Sequence, residues 1–291
     1  MSTDTTIVLG AASPVGTRLL HALSATGDRV IAISRSMDAA FPGVEVRSID
    51  LASSSAGRQL GALRPTRILC VAPIVASATA LRFAAEETGA RVVACSSMST
   101  IAKRASPHCA DREVARQLLQ SEAVLQQSSA WGQCTVLRPT MIWGSDRDRN
   151  VARLRGLAAR LRMLPCPGAP TGLRQPVHES DVAAAIVAAA RHDGTAGRII
   201  EIGGGECLSV TELIRRVAEA SGVPTVEIPH GIWSLLSARP VRPFVRRWHG
   251  VLSRMRQDQL ADNRCAADLI DYRPRGFRPV QSDVAPRSAA R

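Results

Sequence analysis

Gly10 and Gly16 bracket a run of small residues, Ala11-Ala12-Ser13-Pro14-Val15, directly after the β-branched run 6–9. Helical periodicity (Val15, Leu19, Leu20, Leu23) starts inside the bracket. A strand that ends in glycine and turns at once into a helix offers an anion both free backbone N–H groups and the positive end of the helix dipole. Gly10 permits the sharp turn, the small side chains let backbone approach a phosphate, and Gly16 allows close helix–strand contact. The chemistry this spacing fits is the binding of a dinucleotide pyrophosphate. The plain alternative is an ordinary strand-to-helix turn, because Ser13 stands where such a loop usually carries a middle glycine.

A second chemical choice lies at the end of the next apolar run, Ile33-Ser34-Arg35-Ser36. An acid here would accept hydrogen bonds from a ribose 2′-hydroxyl, whereas an arginine offers charge to a 2′-phosphate. No acid follows until Asp38, so Arg35 favours NADP, with NAD as the alternative. Arg35 also reads as one surface arginine among 36.

The elements that must position these groups alternate along the first half of the chain. Apolar runs at 6–9, 29–33, 44–49, 67–71, 91–95 and 134–138 are separated by helical patterns such as 17–25 and 77–88. Runs separated by helices imply parallel strands joined by right-handed crossovers. The expected fold is α/β, a Rossmann-type doubly wound parallel sheet. Helical patterns follow at 150–161 and from Ser180-Asp181 to Arg191, with a Pro/Gly-rich loop at 164–173 and a further strand at 198–202. Ser209-Val-Thr-Glu212 reads as a capping box opening a helix to Ala220. The division expected is a dinucleotide-binding domain over 1–203 and a smaller, mainly helical C-terminal substrate lobe over 204–291, with contributions from 145–178. Residues 280–291 read as a frayed end.

Composition narrows the function class. The chain has 291 residues and a formal charge of +12; 36 of its 37 basic residues are arginine, and Lys103 is the only lysine. Such a field favours anionic partners. Aromatics make up 3% of the chain and there is one tyrosine, Tyr272, so stacking platforms for nucleic acid are scarce and no nucleic-acid partner is expected. The seven cysteines are scattered, with no CxxC pair and no histidine cluster at metal spacing; reduced thiols and no metal site are expected. No apolar run reaches the roughly 18 residues of a membrane span, and the start does not read as a signal peptide. A cytoplasmic location is the expectation, with peripheral contact at the inner membrane surface as an option.

Further strings complete a pattern: Ile49-Asp50-Leu51, Val93-Ala-Cys-Ser96-Ser97, Leu137-Arg138-Pro139-Thr-Met-Ile-Trp143-Gly144, Gln175-Pro-Val-His178-Glu-Ser-Asp181-Val182 and Asp271-Tyr-Arg-Pro274-Arg-Gly-Phe277. With the Gly10–Gly16 loop, their order and spacing resemble the extended short-chain dehydrogenase/reductase superfamily, specifically its NAD-dependent epimerase/dehydratase group, which acts largely on nucleotide sugars. The resemblance implies that Gly10, Ser13, Pro14, Val15 and Gly16 hold the pyrophosphate and that Asp50 and Leu51 flank the adenine. It places Ala72 along the cofactor, and Pro139 and Ile142 beside the nicotinamide.

The departure is in the catalytic motif. The family uses Tyr-x-x-x-Lys on the helix after the fifth strand, the tyrosine exchanging a proton with the substrate and the lysine lowering its pKa and holding the ribose. Counting back from Glu122, those positions fall on Val114 and Leu118, so the dyad is absent. Ser97, Thr100 and Lys103 stand nearby and are the catalytic candidates. Lysine can be tuned to titrate near neutrality and arginine cannot, so Lys103 is the candidate to replace the proton donor or the ribose clamp. A solvated loop lysine is the plain alternative.

Arg147, Arg149 and Arg174 fall where such proteins bind substrate phosphates, and arginine forks suit diphosphate oxygens. His178 is grouped with them, although its residue type and place also suit shaping the loop. The segment 233–256 mixes arginines with tryptophan, leucine and valine, a pattern that can lie in an anionic membrane interface. Pro240 and Pro243 interrupt any single helix there.

The function expected is therefore an NAD(P)-binding oxidoreductase or epimerase with a non-standard proton donor. Its substrate would be a diphosphate-containing small molecule, a nucleotide-activated or lipid-linked sugar. The alternative is a non-catalytic dinucleotide-binding sensor or scaffold. A homodimer is compatible with either.

Overall fold

The computed structural model describes residues 4–25, 27–34, 41–145, 147–148, 150–168, 172–229 and 257–279. Arg35, Arg149, the segment 233–256 and residues 280–291 lie outside them.

Seven strands form one parallel sheet: β1 (Thr5–Leu9), β2 (Arg29–Ile33), β3 (Val44–Arg47), β4 (Arg67–Cys70), β5 (Arg91–Cys95), β6 (Cys134–Pro139) and β11 (Arg198–Ile202). Their order is β11-β6-β5-β4-β1-β2-β3. The chain leaves β1 toward one edge and returns at β4 to build toward the other, so the order reverses between β1 and β4. In open sheets of this kind the crevice at the carboxyl ends of such a pair is where ligands bind.

Apart from the edge strand β3 (Val-Glu-Val-Arg), the strands are largely apolar on both faces because helices cover both. Ile7, Leu9, Ile31, Ile33 and Ile68 pack with Leu60 of α2 (Ala56–Ala62), Leu81 and Ala84 of α3 (Ile74–Thr88), and Leu125 of α5 (Cys109–Gln126). The alternate residues Val8, Val30 and Leu69 are buried on the opposite face. Helices α1 (Pro14–Leu23) and α7 (Glu179–Arg191) pack together, and α7 also touches β4, β5 and β6. A short α4 (Ser99–Ala102) precedes α5.

The chain forms two compact units. Unit 1 holds the sheet and comprises residues 1–139, 179–202 and 261–273; unit 2 comprises 140–178, 203–260 and 274–291. Each unit draws on three separate stretches, so no single cut in the sequence divides them. Residues 261–273, with the short helix α9 (Arg264–Ile270), belong to unit 1.

Among its described residues unit 2 contains α6 (Val151–Leu161), α8 (Val210–Ala220) and three two-stranded sheets. These are β7 (Ile142–Trp143) with β10 (Val177–His178), β8 (Leu164–Pro167) with β13 (Thr225–Ile228), and β9 (Leu173–Arg174) with β12 (Leu208–Ser209). The Pro/Gly-rich stretch at 164–173 is thus not all loop. Parallel pairing with β13 recruits its first four residues into a strand. The core of this unit gathers Trp143, Val151, Ala158, Leu164, Cys166, Val217 and Phe277.

The cap of α8 forms in part as the sequence reads. The Ser209 hydroxyl accepts the Glu212 N–H at 3.1 Å, but the Glu212 carboxylate turns to Arg216 Nε at 2.9 Å. Arg216 also binds Glu206 and the Phe277 carbonyl, and this stronger cation draws the carboxylate away from the helix start.

Candidate functional site

The turn from β1 to α1 is built so tightly that two of its residues can only be glycine. Gly10 has φ +78°, and a Cβ there would lie 2.6 Å from the Ala72 nitrogen. A Cβ on Gly16 would lie 2.3 Å from the Gly10 carbonyl oxygen. Backbone of β1, of the β4 carboxyl end and of the first turn of α1 therefore meet without side chains between them. Ser13 sits at the N-cap, its Oγ accepting the Gly16 N–H at 3.1 Å, and Pro14 opens the helix at the position where a missing N–H costs nothing. Val15 is buried. The Gly10 N–H reaches back to the Ile33 carbonyl at 3.2 Å, which ties this turn to the end of β2.

Asp50 and Leu51 follow β3. Asp50 is exposed and its Oδ1 accepts the Ala52 N–H at 3.2 Å, forming an Asx turn. Ala72, just past β4, is buried against Gly10. Pro139 ends β6, and its carbonyl accepts the Met98 N–H at 3.0 Å. Ile142 belongs to unit 2, in β7.

The catalytic candidates lie at the carboxyl end of β5. Ser97 Oγ accepts the Ser99 N–H at 3.1 Å. Thr100 is 1% exposed and donates its hydroxyl to the Ser97 carbonyl at 2.9 Å, so it shapes the turn that carries Ser97. Lys103 closes α4, with its Nζ 3.4 Å from Asp111 Oδ1 in the first turn of α5. The other Asp111 oxygen accepts the Ser106 hydroxyl at 3.1 Å. Asp111 is a buried carboxylate at a helix N-terminus, where negative charge is favoured. Sequence reading misses it. The available signal is its place eight residues after the only lysine, at the third position of α5.

The two positions counted back from Glu122 carry apolar side chains. Val114 is 38% exposed on α5, and Leu118 packs against the sheet core. Tyr272 is buried in unit 1, and burial, reinforced by the negative charge of Asp181, pushes its hydroxyl well above the usual range. A proton exchanger near neutrality needs the opposite shift.

In unit 2, Arg147 is exposed. Arg174 is buried, and its guanidinium donates to the carbonyls of Leu173 at 2.8 Å and Gln257 at 2.5 Å. Burial lowers the pKa of that guanidinium. His178 is buried edge-on against Trp143, ring centroids 4.8 Å apart, and Phe277 stacks on Trp143 in the same way. Among the described residues, no group of three or more His, Cys, Asp or Glu is placed to hold a metal ion. No described helix is long and apolar enough to cross a membrane.

Solved structures superpose on almost the whole chain. Epimerase Mth375 from Methanothermobacter thermautotrophicus aligns with a TM-score of 0.72 at 17% identity, covering 97% of this chain and 91% of that one. MoeE5, in complex with UDP-glucuronic acid and NAD, aligns at 0.70 with 21% identity over 96% and 97%. TunA, an NAD-dependent NDP-hexosamine 5,6-dehydratase, aligns at 0.71 with 17% identity over 97% and 96%. The fold is that of NAD-dependent epimerases and dehydratases. No family model matches the chain. One stretch of 94 residues is 40% identical to the mitochondrial NADH dehydrogenase (ubiquinone) 1 alpha subcomplex subunit 9 of Arabidopsis thaliana. It covers 32% of this chain and 22% of that protein.

Proposed function

We propose that this chain binds a nicotinamide dinucleotide on the β1–α1 turn and acts on a nucleotide-activated sugar as an oxidoreductase or epimerase. The observation that carries the reading is the close backbone packing of the strand-to-helix turn, in which a Cβ on Gly10 would meet the Ala72 nitrogen and one on Gly16 the Gly10 carbonyl oxygen, a geometry that suits a pyrophosphate at the helix start. The aligned proteins include one bound to NAD and a UDP sugar, which supports the same cofactor and substrate class here.

In this reading Gly10, Ser13, Pro14, Val15 and Gly16 hold the pyrophosphate, and N–H groups at the start of α1 meet its charge. Asp50 and Leu51 flank the adenine, Ala72 lines the cofactor, and Pro139 and Ile142 border the nicotinamide. Arg35 selects NADP over NAD. A bound nicotinamide supplies hydride transfer. Ser97 orients a substrate oxygen, and Thr100 fixes the turn beneath it. Lys103, held by Asp111, carries the substrate proton or clamps the ribose in place of the missing tyrosine and lysine. Arg147, Arg149, Arg174 and His178 form the substrate side. The test is a titration with NADPH and NADH, followed by assay of a panel of UDP and other nucleoside diphosphate sugars. Cofactor uptake with turnover supports the reading, and absence of cofactor uptake ends it.

A second reading is a dinucleotide-binding protein without turnover, acting as a sensor or as a subunit of a larger assembly. Val114 at the tyrosine position favours it, as does the 94-residue likeness to a subunit of an NADH dehydrogenase. Cofactor binding with no turnover on any sugar in the panel selects this reading.

A further inference from the structure

The charge of the chain is not shared between its two units. Among the described residues, unit 2 holds 10 basic and 6 acidic residues, a formal +4, and unit 1 holds 17 and 16, a formal +1. A bias spread evenly by base composition would load both units alike. From Arg149 to His178 the chain has six arginines and no acid.

Helix α6 lies in that stretch. Its inner face, Val151, Leu154 and Ala158, joins the core of unit 2, and Arg155 is buried beside them. Arg153 and Arg160, two turns apart on one face, are exposed, and so is Arg162 at the C-cap. Among the described residues none of these three has an acidic partner. Arg162 has φ +57°, in the left-handed region where this position usually carries glycine. Between and beyond the arginines stand two large apolar side chains, Leu161 at 46% and Met163 at 41% exposed.

We propose that the exposed arginine face of α6, together with the C-terminal end that carries Leu161 and Met163, is a docking surface for an anionic phospholipid bilayer. The arginines meet headgroup charge, and Leu161 and Met163 enter the boundary between headgroups and acyl chains. Charge alone would suit any polyanion. The two exposed apolar side chains between unpaired arginines favour a bilayer, because they gain by leaving water there and gain nothing beside a phosphate backbone. The surface does not depend on the dinucleotide reading.

The experiment is flotation of the full chain with vesicles of phosphatidylcholine alone or with about one third phosphatidylglycerol. Binding to the mixed vesicles and not to the neutral ones is expected. The variant R153Q/R160Q/R162N, checked for native circular dichroism, is expected to bind about tenfold or more weakly. The variant L161S/M163S is expected to bind at low salt and to dissociate at 0.5 M salt, about three times the physiological ionic strength, where the wild type retains part of its binding. Equal binding to neutral vesicles, or unchanged binding by the arginine variant, overturns the proposal. Displacement of the vesicles by duplex DNA at equal phosphate concentration also overturns it, and assigns the surface to nucleic acid.

Discussion

Lys103 Nζ stands 3.4 Å from Asp111 Oδ1, and Ser106 holds the second oxygen of that carboxylate. The only lysine of the chain, at the C-cap of α4, is thus paired with a buried carboxylate of α5. If it carries the substrate proton, Lys103→Ala lowers kcat by about 100-fold or more with little change in dinucleotide Kd. If it clamps the ribose, the Kd rises instead. Asp111→Asn, which leaves the lysine in place but unfixed, shows the same change at smaller size. Steady-state kinetics with a cofactor titration check both, and unchanged kcat and Kd in Lys103→Ala would remove Lys103 from the site.

Glu122 of α5 is 1% exposed and receives two guanidinium hydrogen bonds from Arg138 of β6. Removing one partner leaves the other buried without compensation. Glu122→Gln is expected to lower unfolding free energy by about 3 kcal/mol, and the double replacement E122M/R138M by clearly less. Urea denaturation measures both; a loss under about 1 kcal/mol for Glu122→Gln would contradict the burial of the pair.

Stability is expected to fall on the alkaline side. Burial pushes the Cys70 thiol up to about 11, with the Ser77 hydroxyl offsetting part of the effect. Burial also pushes Cys134 up to about 11, offset in part by Arg91. The unfolded chain releases these protons near pH 9 and the native chain holds them, so their contribution is complete below pH 9 and declines from there toward 11. Tyr272 adds to the decline above about pH 10. The urea midpoint is expected to drop between pH 8 and 10.5, and less so in C70A/C134A. A flat wild-type profile over that range would contradict the assignment.

Gly16→Ala places a Cβ against the Gly10 carbonyl. It is expected to cost about 2–3 kcal/mol of stability and to weaken dinucleotide binding in whatever fraction remains folded. Ser13→Ala removes one cap hydrogen bond and is expected to cost about 1 kcal/mol. Thermal unfolding orders the two, and an equal or reversed order would contradict the packing at Gly16.

What the sequence makes legible is set by the length of each pattern. Six strands of the sheet show as runs of mostly β-branched or apolar residues, the edge strand β3 alternates valine with charge, and their alternation with helices implies the parallel order. Strands such as β7 and β10 have two residues each, too few to show a period of two. β8 hides behind Pro165 and Pro167 and exists through its pairing with β13, some sixty residues away. At the site, Gly10, Ser13 and Gly16 are legible because their roles are local to one turn. Asp111 is not, because an acid in the first turn of a helix has an ordinary reason to be there. Only the fold brings it to Lys103. The stereochemical need at Gly10 also becomes visible only with Ala72 beside it, 62 positions on.

The most direct test of the account is calorimetric titration of the folded wild-type chain with NADPH and, separately, NADH. The close backbone packing of the turn at Gly10, Gly16 and Ala72 predicts saturable one-to-one binding of at least one of them, in roughly the micromolar range. A folded protein that takes up neither would contradict it.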